Sequence, residues 1–228
     1  MNYCLWCDEE LIVHTNWGNV IHLQKQQKLC PLCIAKFKKI TGNRCTICSR
    51  PSGNKTCEDC EKWKSIYAGN DPLDRNVSLY SYNHFMKEMI AKWKYRGDYI
   101  LGEVFRREWL IHFMKSYSTL KKQAAIIPIP LSDERLIERG FNQSQLLASF
   151  LNLKQMEILK RIHSEKQSKK TRIERMMSEN PFTLTKPITK PVILIDDIYT
   201  TGRTIRHAAN LLKINGCPKV YAYTLVRG

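Results

Sequence analysis

Four Cys-x-x-Cys pairs, Cys4/Cys7, Cys30/Cys33, Cys45/Cys48 and Cys57/Cys60, take up eight of the nine cysteines in the chain. This spacing lets two thiolates bend toward one ion, and two such knuckles complete a tetrahedral Cys₄ site. A redox Cys-x-x-Cys needs only one pair, normally opening a helix in a βαβ unit. Four pairs so close together therefore predict structural zinc, two ions in all. Taken in order, the pairs close loops of 22 and eight intervening residues. The first loop is slightly longer than a zinc ribbon usually has, so an interleaved pairing stays open. A segment this small cannot build its own core and is expected to be held by metal, as a zinc-ribbon-like module over residues 1–66. Cys217 stands alone before Pro218 and reads as a small buried apolar residue.

The N-terminal MNYCLWCDEE has neither the basic nor the apolar region of a signal peptide. No apolar run approaches a membrane span. The expected location is the cytosol. Any placement at the inner face of the membrane would come through partners.

Charge is distributed unevenly. Of a net +16, residues 1–74 contribute little, with ten Lys/Arg against eight Asp/Glu, whereas residues 75–228 hold 27 against 13. Filled Cys₄ zinc sites are themselves anionic, so the cysteine module is not the expected grip for a polyanion. The body of the chain is, and it should attract phosphates, nucleotides or nucleic acid.

Residues 67–76, with Gly69-Asn70-Asp71-Pro72, read as a linker, and residues 77–228 as a second domain. Alternation predicts a strand over 77–82. Helical phase predicts helices over 84–95, with Trp93 on the core face, and over 99–117. A buried strand over 124–129 and a helix over 143–151 follow. Strands over 192–195 and 220–226 flank a helix over 203–214. Strand, helix and strand of this length form a parallel βαβ unit, so the domain is α/β.

Within it, PVILIDDIYTTGRT at 191–204 carries the most chemistry. An apolar strand runs into Asp196 and Asp197, and Thr200-Thr201-Gly202 then turns into the next helix. At the carboxyl end of a parallel strand, turn amides and a helix N-terminus form an anion cradle. Thr200, Thr201 and Thr204 add hydroxyls, and the paired carboxylates can accept from a ribose diol.

That segment closely resembles the phosphoribosyl-pyrophosphate (PRPP) loop of type I phosphoribosyltransferases: four apolar residues, two acids and a Thr-Thr-Gly-x-Thr turn. The resemblance implies a parallel-sheet phosphoribosyltransferase-like fold. It assigns the ribose hydroxyls to Asp196 and Asp197, and the 5′-phosphate to Thr200, Thr201, Gly202, Arg203 and Thr204. Three further segments resemble the ComF family of late-competence proteins: Lys94-Tyr95-Arg96-Gly97-Asp98, PIPLSDERLIERGFNQSQLLA at 128–148, and a basic loop at 160–182 with Gln167 and Arg175. Ser178 departs from that family, which often has Asn there.

Arg139, Gln167 and Arg175 become candidates for a pyrophosphate; a surface arginine plus a helix cap is the ordinary alternative for Arg139. Lys92, Lys94, Arg96, Lys166, Lys169, Lys170 and Arg172 are candidates for nucleic acid; a solvated charge run is the ordinary alternative. The family resemblance implies DNA uptake in natural transformation, single-stranded DNA as ligand, and an ATP-driven DNA translocase such as ComFA as partner. The competing expectation is an active phosphoribosyltransferase using Mg²⁺ with PRPP. A zinc-finger transcription regulator fits less well, since no recognition helix of a standard class is present.

Overall fold

The computed structural model describes residues 3–11, 27–95, 98–162 and 180–228. The cysteine region contributes two short helices, α1 (Pro31–Ala35) and α2 (Glu58–Ile66). The rest runs β1 (Arg75–Ser81), α3 (His84–Tyr95), a 3₁₀ turn (Tyr99–Val104), α4 (Arg106–Ser116), β2 (Ala125–Pro128), α5 (Asp133–Arg139), α6 (Gln143–Ser149), β3 (Leu159–Arg161), β4 (Phe182–Leu184), β5 (Val192–Tyr199), α7 (Arg203–Ile214) and β6 (Val220–Arg227).

Four strands form one parallel sheet in the order β1-β6-β5-β2. A strand covered on both faces needs apolar residues at successive positions, which explains the unbroken Val192–Ile195 run. On one face Val77, Ile126, Ile193, Ile195, Tyr223 and Leu225 pack with residues from α3, α4 and α6. There Trp109 stacks on Tyr223 at 3.8 Å and donates from Nε1 to the Leu147 carbonyl at 2.9 Å. On the other face Ala125, Ile127, Val192, Leu194, Val220 and Ala222 meet Ile205, Ala208, Ala209 and Leu212 of α7. Trp93 is fully buried, as its helical phase required, and Cys217 is buried too.

The cysteine region serves as the cover of the sheet's outer edge. β1 would otherwise expose a row of unpaired backbone groups. Instead Ile40 N–H donates to the Leu79 carbonyl at 3.0 Å, Ser81 N–H to Lys38 at 2.8 Å and Asn76 N–H to Ile47 at 2.6 Å. Cys4, Cys30 and Cys33 pack toward the face covered by α3, α4 and α6, and Cys45, Cys48, Cys57 and Cys60 toward the α7 face. The stretch expected as a linker is pinned as well. Asp71 forms a paired contact with Arg206, Leu73 is buried, and Asp74 Oδ2 accepts from Val220 N–H at 2.9 Å. β1 begins at Arg75, inside that stretch.

Four local expectations need correction. The helix expected over 99–117 is broken, because Asp98 caps a 3₁₀ turn through Leu101 N–H at 3.1 Å and α4 begins only at Arg106. Between β2 and the helix expected over 143–151, where no element was expected, the chain forms α5, with acids in its first turn and Gly140 closing it at φ +75°. β5 does not stop before the acids but carries them, continuing to Tyr199 in register with β6. The ends of the segment expected as a basic loop pair as an antiparallel hairpin, β3 with β4.

Candidate functional site

A cavity of about 230 Å³ opens at the carboxyl ends of β2 and β5. Its walls come from five elements: Lys94 of α3, Arg135 and Arg139 of α5, Gln143 and Ser144 of α6, Arg161 of β3, and Asp196 and Asp197 of β5, with Thr200 and Thr204 beyond them. The crossover connections of a parallel sheet bring these distant segments to one end, where ligands bind in open α/β sheets.

Asp196 accepts from Ser144 Oγ at 3.0 Å and from the Asp197 amide at 2.9 Å. Burial, and then the neighbouring Asp197 charge, push its carboxyl up to about 7, against the pull of Lys94. Asp197 is buried and ion-paired with Lys94. Lys94, expected as a nucleic-acid contact, is thus committed inside the cavity, its side chain only 14% exposed.

Opposite the acids stand three guanidinium groups. Arg139 is buried and donates from Nη1 to Gln143 Oε1 at 3.2 Å. Its Nε and the Gln143 Nε2 are buried donors with no partner among the described residues. Orphaned donors of this kind are costly unless something accepts from them. Burial, followed by the charges of Arg135 and Arg139, disfavours the charged form of Arg161. Crowded cations and idle donors together are chemically suited to donate hydrogen bonds to a multiply charged anion and to offset its charge.

The turn after β5 is built from outside the cavity. Gly202 has φ +78°, and a Cβ there would lie 2.1 Å from Tyr199 Oη and 2.5 Å from Arg206 Nη1, so no other residue fits. Trp63 Nε1 of α2 donates to the Thr201 carbonyl at 2.8 Å, and Arg227 Nη1 donates to the Thr200 carbonyl at 2.8 Å. Arg206, fully buried, donates to Tyr199 Oη at 2.5 Å and to Asp71 through Nε at 3.0 Å and Nη2 at 2.7 Å. The carbonyls of the turn are held by the protein behind it, the Arg203 amide donates to Thr201 Oγ1 at 3.4 Å, and the first amides of α7 have no intrahelical partner.

Thr200 and Thr204 therefore line the cavity, while Thr201 and Gly202 shape the turn. Arg203 lies beside His207, Nε to Nε2 at 3.1 Å, rather than on the cavity wall. Lys92 reaches the Leu5 carbonyl at 3.5 Å and sits over the Trp6 ring at 5.5 Å, against the cysteine region. Arg96, Lys166, Gln167, Lys169, Lys170, Arg172 and Arg175 lie outside the described residues. Sequence reasoning missed Ser144 as a partner of Asp196, and Trp63, Arg206 and Arg227 as supports of the turn. Ser144 lies within the 128–148 segment that carries the family resemblance, whereas Trp63, Arg206 and Arg227 stand outside every motif singled out.

The cysteines fall into two groups, Cys4/Cys7/Cys30/Cys33 and Cys45/Cys48/Cys57/Cys60, with all sulfurs in each within 4.8 Å of one another. This is the sequential pairing. Sulfurs bound about 2.3 Å from one tetrahedral zinc stand about 3.8 Å apart, and a disulfide holds them at about 2.05 Å. Here Cys7 lies 3.7 Å from both Cys30 and Cys33, and Cys48 lies 3.5 Å from Cys57. Each group can hold one metal ion.

Comparison with known proteins agrees with this geometry. The family model described as phosphoribosyl transferase domain matches residues 138–228. Competence protein ComFC of Bacillus subtilis (strain 168) is 40% identical over 98% of this chain and 94% of its own length. Competence protein ComFC of Streptococcus pneumoniae (strain ATCC BAA-255 / R6) is 31% identical over 98% and 99%.

The chain belongs to the ComFC family.

DNA utilization protein YhgH of Escherichia coli (strain K12) is more distantly similar, at 26% identity over 87% of this chain and 96% of its own. The match to the Bacillus ComFC runs through nearly the whole chain, taking in the cysteine region as well as the cavity. The ComFC fold is thus a parallel-sheet phosphoribosyltransferase-like domain joined to a cysteine module. Among the described residues, no helix is long and apolar enough to cross a membrane.

Proposed function

We propose that this protein serves DNA uptake in competence, binding PRPP or a related ribose phosphate in the cavity at the sheet's carboxyl end and single-stranded DNA on its basic body. The observation carrying the ligand reading is the pairing of two carboxylates with idle Arg139 and Gln143 donors across one cavity. In this reading Asp196 and Asp197 accept from the ribose diol, the α7 turn takes the 5′-phosphate, and Arg139, Gln143 and Arg161 take the diphosphate. Asp197 is already paired with Lys94 and Asp196 with Ser144. Mg²⁺, which prefers oxygen ligands and retains water, would accordingly be held mainly by the diphosphate. Each cysteine group would hold a structural zinc. The names of the relatives support the competence role; a cytosolic location and work beside a ComFA-like translocase complete the reading.

Calorimetric titration with PRPP and Mg²⁺ tests the site. The expected result is binding to the wild type and none to Asp196→Ala/Asp197→Ala, with an unchanged circular dichroism spectrum. Unchanged affinity in the double variant overturns the assignment.

The placement of idle donors where a departing pyrophosphate would sit also favours a second reading, phosphoribosyl transfer. There a base nitrogen would bond to the ribose anomeric carbon as the carbon–oxygen bond to pyrophosphate breaks, with the electron pair leaving on the pyrophosphate. Positioning and stabilisation of that anion would supply the catalysis. Pyrophosphate release from PRPP in the presence of a panel of bases separates turnover from binding alone.

A further inference from the structure

A second, larger cleft lies at the opposite end of the sheet. It has a volume of about 450 Å³ and borders the residues that lead into β2 and β5. Because the strands are parallel, the PRPP-like cavity at their carboxyl ends and this cleft at their amino ends cannot be one site. Five lysines line it: Lys121 and Lys122 before β2, Lys154 beside Gln155, and Lys186 and Lys190 before β5. Its floor is Ala124 and Ala125, and one wall is fixed where Gln155 pairs in parallel with Ile126.

Among the described residues none of these lysines forms an ion pair. The single acid on the lining, Glu157, already accepts from Gln145 Nε2 at 2.6 Å. Elsewhere Lys39 pairs with Glu108, Lys64 with Glu61, Lys94 with Asp197 and Lys213 with Asp74. Five lysines against one carboxylate leave a surplus of positive charge around one hollow, and an anion relieves that repulsion.

The arrangement also says what kind of anion. The lysines come from three chain segments and lie along an open cleft, unlike the convergent arginines of the smaller cavity. No aromatic residue lines it, so bases have nothing to stack on. A concave surface suits a flexible strand better than a membrane face. We propose that this cleft is where the phosphate backbone of single-stranded DNA lies, held without sequence preference. The inference rests on the single-strand-binding reading above and gives it a location.

The test uses the full chain and a fluorescein-labelled oligo(dT), with anisotropy read across a series of salt concentrations. If all five lysines contact phosphates, log K falls against log salt with a slope of about −3.5. Lys121→Ala/Lys122→Ala/Lys190→Ala should reduce that slope by about 2 and weaken binding about tenfold or more at low salt. Its melting temperature and PRPP affinity should match the wild type. Lys154→Glu/Lys186→Glu, the two remaining lysines of the lining, should weaken binding at least as much. Wild-type affinity and slope in both variants would overturn the cleft while leaving DNA binding itself in place. Absence of oligo(dT) binding by the wild type would instead overturn the DNA-binding reading, and this location with it. Displacement of the oligonucleotide by PRPP, or binding only to phosphatidylserine vesicles, would likewise count against the cleft.

Discussion

The two cysteine groups have the same ligand chemistry and opposite relations to the rest of the molecule. In Cys4/Cys7/Cys30/Cys33, Cys7 is exposed, and the nearby Trp6 packs edge-on against Phe85 at 5.2 Å, on the face away from α7. In Cys45/Cys48/Cys57/Cys60 every cysteine is buried. Arg227 Nη2 lies 3.6 Å from Cys48 Sγ, while Nη1 of the same guanidinium holds the Thr200 carbonyl. From α2, which begins at the Cys57 knuckle, Trp63 holds Thr201. The first group fastens a cover to the sheet; the second also braces the proposed phosphate turn. Equal metal sites need not have equal functional reach, because reach depends on which rigid groups connect a site to a neighbour.

The strongest way to break this comparison is to disable each group separately. Wild-type protein should contain two zinc ions per chain by elemental analysis, and Cys57→Ser or Cys7→Ser should each leave one. Removing a ligand from the buried group should lower the melting temperature by about 10 °C or more and abolish PRPP binding. Cys7→Ser should lower it by about 5 °C and leave PRPP affinity within about twofold. Equal losses of affinity in the two variants would erase the distinction.

Next in size is Arg206, which fills the space under the turn without being a metal neighbour. Its guanidinium lies 4.8 Å from the centre of the Trp63 ring and pairs with Asp71 while fully buried. Arg206→Met should destabilise the chain by about 3–5 kcal/mol, since Asp71 would be left buried without its counter-charge. Urea unfolding measures this. Asp71→Asn added to Arg206→Met should recover part of the loss, whereas an unchanged midpoint in the single variant would show that the brace does not run through Arg206.

A pH titration sharpens the comparison from the ligand side. Asp196 has its folded-state pKa raised, to about 7 from an unfolded value near 3.8, so the folded state holds the proton more tightly. Its contribution therefore favours folding at low pH and is lost as pH rises through that interval, leaving a penalty on the order of a few kcal/mol at pH 8. Asp196→Asn should raise the melting temperature at pH 8, leave it nearly unchanged at pH 4, and flatten the slope between. Cys7→Ser should keep the wild-type slope. A slope that survives Asp196→Asn would place the titrating group elsewhere.

These connections also mark where the sequence stops being readable. Cysteine pairs and the strand–acid–turn segment are local patterns, in which the required chemistry lies within a few residues. They led to the metal groups and to the acid end of the cavity before any fold was known. The brace is built from contacts between residues 135, 138 and 179 apart, Arg206 with Asp71, Trp63 with Thr201 and Arg227 with Cys48. Cys48 and Thr201 stand in motifs, but Arg206, Asp71, Trp63 and Arg227 taken singly have an ordinary surface, linker or core reading. Lys94 shows the same limit from the other side. It sits in a run of cations and aromatics that suggests a nucleic-acid contact, yet the fold turns it toward Asp197. α5 was missed because its seven residues are too few to display a helical period.

The smallest predicted effect isolates one hydrogen bond. Trp63→Phe keeps an aromatic ring under Arg206 but removes the indole N–H that holds the Thr201 carbonyl. The expected cost is about 1 kcal/mol of stability. PRPP should bind about threefold to fivefold more weakly, because the turn loses one of the donors that orient it. The matched change in the first group, Trp6→Phe, should cost a similar amount of stability, since it trims packing against Phe85, and should leave PRPP affinity unchanged. Calorimetry on the two variants side by side thus separates bracing from simple cohesion. If Trp6→Phe weakened the ligand as much as Trp63→Phe did, both groups would act on the cavity through general stability, and direct bracing by the second group would lose its support.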